Sequence, residues 1–325
     1  MTTATPPRRQ GANVKSRNVH FYSDGLRLEG IVHMPDDLKD GERRPAVMVC
    51  HGRLAIKEWV PSRWVPYLTE AGYVCLAFDY RNLGTSEGTL GTIIPQDEVR
   101  DIRHALTFFQ QQPEVDPDRI GILGWGLGGG VVIAAAAEDE RLKAVVCAGG
   151  IVDGYRYGRD NMTYREWLDR MKAIEEDRVT RVLTGKSGYL DKAEFPSGNA
   201  KADAHTTRYG YRQSLASVVG EERASDPKKL GIPEALTIES MEALYNFRPT
   251  ESIDKIAPRP LLVVHARDDE HFPFDHLTEM FERAGEPKTF ITVEEGTHLS
   301  WIDPSQPEQK IYVPKVVDWI RDNLC

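Results

Sequence analysis

The sequence predicts an α/β protein built on a mostly parallel, eight-stranded sheet with helices on both faces, and three features predict it. Short continuous apolar runs alternate with segments of helical spacing over most of the 325 residues. Two strand-like runs precede the first of these units and flank Asp24-Gly25, a hairpin turn signal, so the sheet opens antiparallel. The alternation stops at about residue 152 and resumes at about 249, which marks an insertion within one domain.

Residues 1–17 hold Pro6, Pro7, Arg8 and Arg9 with no apolar stretch behind them, and read as a flexible start without a secretory signal. The opening hairpin spans 19–23 and 26–33. A short apolar strand at 45–50, helical spacing over 64–71 and a second apolar strand at 73–78 form the first unit. Residues 97–111 read as an amphipathic helix with Val99, Ile102, Ala105, Leu106 and Phe109 on one face. A strand at 120–123, a helix at 127–137 and a strand at 144–147 follow. Residues 152–249 carry helical segments rich in tyrosine, arginine and acidic residues, and read as a helical lid. A strand at 260–265, a helix at 275–284, a strand at 289–293 and a helix at 313–324 finish the sheet order. The expected partition is thus a core in two parts, 18–151 and 250–325, separated by the lid.

Composition narrows the function. Hydrophobic residues make up 40% and charged residues 28%, enough apolar material for one large core. The formal charge is -9 and no lysine or arginine block stands out, so neither nucleic acid nor an anionic membrane is an expected partner. A small-molecule substrate is expected, with no cofactor, and a homo-oligomer is compatible with the composition. Cys50, Cys75 and Cys147 fall in apolar strand runs and Cys325 ends the chain, a scatter that suits core thiols in a reducing, cytoplasmic setting. No apolar run reaches the length a transmembrane helix needs. His205 and His271 lack metal-ligand spacing with partners, so no metal site is expected.

The most informative segment is Gly-Trp-Gly-Leu-Gly-Gly-Gly at 124–130, a glycine turn between a strand and a helix. Gly124, Gly126 and Gly129 satisfy a dinucleotide-binding spacing literally. That fingerprint, however, follows the first strand of its fold and is answered by an acid at the end of the next strand. Here about four strands come first, and the run at 144–148 ends without an acid. The other reading is a tight turn that lifts its central residue above the sheet and points the Leu127 N–H at a developing oxyanion.

Several segments together resemble the α/β-hydrolase superfamily, in particular its dienelactone-hydrolase-like, acyl-peptidase-like and polyketide-modifying branch. They are His51-Gly52 after a strand, Phe78-Asp79-Tyr80-Arg81 with Gly84 and Ser86-Glu87-Gly88, the glycine turn, the stretch from His265 to Pro273, and Gly296-Thr297-His298. The resemblance runs from Asn18 to Cys325. It implies that His298 is the base and Asp269 its acid partner, in the chain order this fold uses. The residues alone leave two alternatives: His298 as a surface-loop histidine, and Asp268 in place of Asp269. The resemblance also implies a structural role for Asp79 and a second oxyanion donor at the backbone N–H of Arg53 or Leu54. The Arg53 guanidinium suits a substrate carboxylate or enolate, or else a salt bridge to Glu58. Trp125, Tyr155 and Trp167 are expected to line the substrate pocket, within a wider set of Tyr157, Tyr164, Tyr209 and Tyr211.

The resemblance puts the nucleophilic serine at position 126, where this chain has glycine. Gly126 cannot form an acyl-enzyme. Three readings follow: a serine esterase inactivated by substitution at 126, an enzyme that uses His298 and Asp269 as a general base on water or a carbon acid, and a ligand-binding homologue without catalysis. The retained base and acid favour the second.

Overall fold

The computed structural model describes residues 15–191, 204–301 and 306–324, and the side chains of 191, 204–210 and 301 lie outside that description. Arg8, Arg9, Cys325 and the side chains of His205 and Tyr209 therefore lie outside it too.

Eight strands form one sheet. β1 (Lys15–Ser23) and β2 (Leu26–Met34) are the predicted hairpin, paired antiparallel around Asp24 and Gly25, both of which have positive φ. β3 (Arg44–Cys50), β4 (Val74–Phe78), β5 (Val115–Gly126), β6 (Leu142–Gly150), β9 (Leu261–Ala266) and β10 (Lys288–Val293) are all parallel. The spatial order is β1-β2-β4-β3-β5-β6-β9-β10. The chain passes from β3 to β4 on one side and then returns to lay β5 on the other. Such a reversal opens a crevice at the carboxyl ends of the strands, and α/β sheets bind ligands there.

Alternation along the strands divides the core. Ala46, Met48 and Cys50 of β3, with Leu261 and Val263 of β9, face α2 (Pro95–Gln110), α3 (Leu127–Glu138) and α9 (Phe274–Arg283). Val47 and Val49, with Leu262 and Val264, face α1 (Val65–Glu70) and α10 (Pro307–Asn323). β3 and β9 bury both faces, which is why they read as continuous apolar runs. The three described cysteines are buried and unbridged, and burial pushes the Cys50 and Cys147 thiols up to about 12.

Between β6 and β9 lie α4 (Gly154–Asp160), α5 (Tyr164–Thr184), α6 (Ala204–Val219), α7 (Glu221–Ala224) and α8 (Ile238–Tyr245). The segment is not purely helical. β7 (Tyr189–Asp191) and β8 (Ala235–Thr237) pair antiparallel as a small second sheet that three-residue strands gave no pattern to predict. Asp153 caps α4 by accepting Arg156 N–H, and Thr163 with Glu166 forms a capping box on α5.

Candidate active site

The crevice is closed on one side by the loop after β9. Asp269 is buried there, and its Oδ1 accepts the N–H groups of His271 at 2.8 Å and Phe272 at 2.9 Å. These two bonds fix the carboxylate and leave Oδ2 to receive His298 Nδ1 at 2.9 Å, in the tautomer that carries its proton on Nδ1. Asp268 is exposed, so Asp269 is the acid against His298. Burial favours the neutral form of Asp269, but the charge and hydrogen bond of His298, with His265 and His271 close by, outweigh it and hold the group at about 2. Glu270 adds a further tie by accepting His298 N–H at 3.0 Å. His298 is 2% exposed and sits in a short 3-10 turn, not in a surface loop.

Across the crevice, β5 ends in the glycine turn. Gly126 has φ 64° and ψ -127°, and α3 starts at the next residue. A Cβ added at Gly124 would stand 2.2 Å from Gly128 O, one at Gly128 would stand 2.3 Å from His51 O, and one at Gly130 would stand 2.0 Å from Ile151 O. Backbone crowds these positions, so each needs glycine. Gly126 differs. Its added Cβ would meet nothing closer than Gly52 Cα at 3.7 Å and would end 3.9 Å from His298 Nε2. The tip of the turn, buried but with room for a Cβ, therefore faces His298 Nε2.

The third wall is the loop after β3. Gly52 lies against Trp125, where a Cβ would stand 2.8 Å from the Trp125 carbonyl oxygen, and Leu54 takes φ 60°, a strained value for a branched side chain. Arg53 stands between them and donates from Nη2 to Tyr157 Oη at 3.3 Å. Leu127 opens α3, where first-turn N–H groups have no helical acceptor. Asp79 is tied up in the frame. It accepts Lys57 N–H at 2.7 Å, Lys57 Nζ at 2.6 Å and Thr85 N–H at 3.0 Å.

The predicted aromatic residues fall in two places. Trp125 is 2% exposed and stacks on His298 with ring centroids 4.5 Å apart. Tyr155 is 43% exposed and packs against Trp167 and beneath the Arg248 guanidinium, while Trp167 is buried against Tyr245. Tyr157, two residues on and so on another side of α4, is the one that reaches Arg53 and the Phe272 ring. His271 and Phe272 are further neighbours of His298 that the sequence did not single out, with centroids 4.7 Å from it in both cases. Asp269, Glu270 and His271 are the described group whose ligand atoms approach one another as a metal site would require. The Asp269 oxygens there are already committed to His298 and to two backbone N–H groups.

A β5 turn, an acid after β9 and a histidine after β10, arranged around a crevice at the strand ends, define an α/β-hydrolase. Residues 45–304 match the alpha/beta hydrolase fold family, and the chain belongs to that family. Thiohydrolase aneE of Aspergillus aculeatus is 32% identical over 283 residues, 85% of this chain and 83% of its own length. Polyketide transferase ATR5 of Stachybotrys chlorohalonatus is 26% identical over 309 residues, 93% of this chain and 95% of its own. The solved structure of alpha/beta hydrolase GrgF from Penicillium sp. sh18 has the same fold, with a TM-score of 0.74 at 22% identity over 96% of this chain and 99% of that one. The protein is a hydrolase-like enzyme of this family. Among the described residues no helix is long and apolar enough to cross a membrane.

Proposed function

We propose that the enzyme acts on a carbonyl-containing small molecule, an ester, thioester, lactone or activated carbon-carbon bond, with His298 as general base and without an acyl-enzyme. The observation that carries this reading is the His298 Nε2 facing the tip of the Gly126 turn, where there is room for a Cβ-sized atom, with Asp269 behind it. Water in that space gives its proton to Nε2 as its oxygen adds to the carbonyl carbon. The oxyanion then meets the N–H groups of Leu127 and Arg53, and the imidazolium returns the proton to the leaving oxygen, sulfur or carbon. The helices of 152–249 act as the lid, with Tyr157 and the Arg53 guanidinium at the substrate. The relatives named thiohydrolase and polyketide transferase support an acyl substrate. The buried thiols support a cytoplasmic setting.

The test is turnover of activated esters and thioesters by the purified chain, with acid-quenched samples weighed for a covalent adduct. The expected result is turnover without an adduct, falling about 10³-fold in His298→Ala. Turnover that survives His298→Ala sinks the reading.

One observation favours a second reading, a serine hydrolase silenced at position 126: the space beside Gly126 admits a Cβ. Under it, Gly126→Ser restores a stoichiometric acyl burst followed by turnover. Under base-only chemistry, Gly126→Ser fills the space that water needs and slows the native reaction.

A further inference from the structure

The surroundings of the base contain more than the acid. Trp125 stacks on His298 at 4.5 Å with 25° between the ring planes, and His271 does so at 4.7 Å and 27°. Two near-parallel rings at those distances would collide on one face, and Trp125 and His271 make no ring contact. The imidazole is therefore sandwiched between them. Phe272 stands almost perpendicular at the third side, 84° at 4.7 Å. These side chains come from the end of β5, the loop after β9 and the turn after β10, and the sandwich is anchored at both outer layers. Trp125 is locked beneath Gly52, and Glu270 places one oxygen 3.4 Å from His271 Nδ1 while the other takes His298 N–H.

A protonated imidazole between two π faces is attracted to both, because the ring quadrupole presents negative charge to a cation. Among the described residues, the charged or titratable groups around His298 and its clamp are Asp269 at the imidazole edge, Glu270 and His265 from the β9 side, Tyr211 of α6 over His271 at 6.1 Å, and beyond them Tyr157 against Phe272 with the Arg53 guanidinium it accepts from. Burial lowers both His271 and His265 from the ordinary imidazole value, against the carboxylates of Glu270 and Asp269, which raise them. We propose that Trp125 and His271 are positioning residues that clamp the His298 imidazole and stabilise its protonated form. The inference rests on His298 being the base. A base-only reaction has no covalent intermediate, so the proton taken from water stays on this ring until the leaving group accepts it.

The experiment needs no substrate. The His298 Cε1–H resonance, identified by its loss in His298→Gln, is followed against pH by NMR in the full chain and in Trp125→Leu, Trp125→Phe and His271→Leu. The midpoint is expected to fall by about half a pH unit or more in Trp125→Leu and to move less in Trp125→Phe, which keeps a π face. His271→Leu, nearer the rim, lowers it as well and serves where Trp125→Leu does not fold. Midpoints within about 0.2 of a unit of the parent in Trp125→Leu and His271→Leu overturn the proposal. The acid limb of kcat/KM moves with the midpoint. If the midpoints move while His298→Ala leaves turnover intact, the clamp stands and the base chemistry falls.

Discussion

The loop after β9 and the turn after β5 face each other across one crevice and are built on opposite terms. In the loop the chemistry is in side chains: Asp269 takes two backbone N–H groups and His298, and Glu270 ties the His298 backbone. The turn is built of backbone. Gly124, Gly128 and Gly130 are crowded so closely that a methyl group would strike a carbonyl oxygen, yet Gly126 at the tip has room for one. The difference teaches that the frame of such a turn and the reactive group it carries are separable. The flanking glycines hold the shape, and the tip residue, though its φ of 64° favours glycine, has steric room for a Cβ that its neighbours lack.

The largest test breaks the wired side. Asp269→Asn keeps a buried acceptor for the His271 and Phe272 N–H groups but presents no charge to His298 and lets the wrong tautomer form. Turnover is expected to fall about 10³-fold, about 4 kcal/mol of barrier, with far-UV circular dichroism unchanged. A loss under tenfold would mean that the acid matters little to this base. The next test breaks the frame. Gly128→Ala drives a methyl group into His51 O, and a loss of about 3 kcal/mol in urea unfolding is expected, since neither backbone can move away cheaply.

Sequence reasoning reached the two sides unequally. Strand β3, predicted at 45–50, is observed at Arg44–Cys50, because both faces are apolar and the pattern is continuous. Strand β5, predicted at 120–123, extends over Val115–Gly126: Asp-Pro-Asp-Arg follows the buried Val115, and Arg44 pairs with Val115 ahead of a register shift that no periodicity announces. At the site, the motif order placed Asp269 and His298 in one loop pair, and burial decides between Asp269 and Asp268. That Tyr157 reaches Arg53 and Phe272 while Tyr155 packs on Trp167 depends on the rotation of the short helix α4, which composition does not set. The stack of Trp125, His298 and His271 joins residues up to 173 positions apart, beyond any local signal.

A pH series sharpens the comparison further. The Asp269 carboxyl is held at about 2 in the fold, against about 3.9 in an unfolded chain. A lowered folded value contributes stability that is present above pH 4 and lost as pH falls toward 2. The expected loss is about 2 kcal/mol across that interval. Asp269→Asn lacks it, so the gap in urea midpoint between the two proteins closes as the solution is acidified. A gap that stays constant would mean that the carboxylate is no better held in the fold than outside it.

The smallest effect is at the tip of the turn. Gly126→Ser puts an L side chain at φ 64°, which costs about 2 kcal/mol of backbone strain. The lower entropy of the unfolded serine chain offsets up to about 1 kcal/mol of that. Contact adds little, since the new Cβ would meet Gly52 Cα at 3.7 Å, an ordinary van der Waals contact. A net loss of about 1 kcal/mol is expected, a third of that for Gly128→Ala two residues away. Equal losses at the two positions would show that the tip is as tightly specified as its flanks, and the separation of frame from chemistry would fail. A small loss at 126 with a large one at 128 means that the turn is strained by its own glycines into a shape that takes a reactive side chain at low cost. The identity of residue 126 then hardly touches the stability of the crevice.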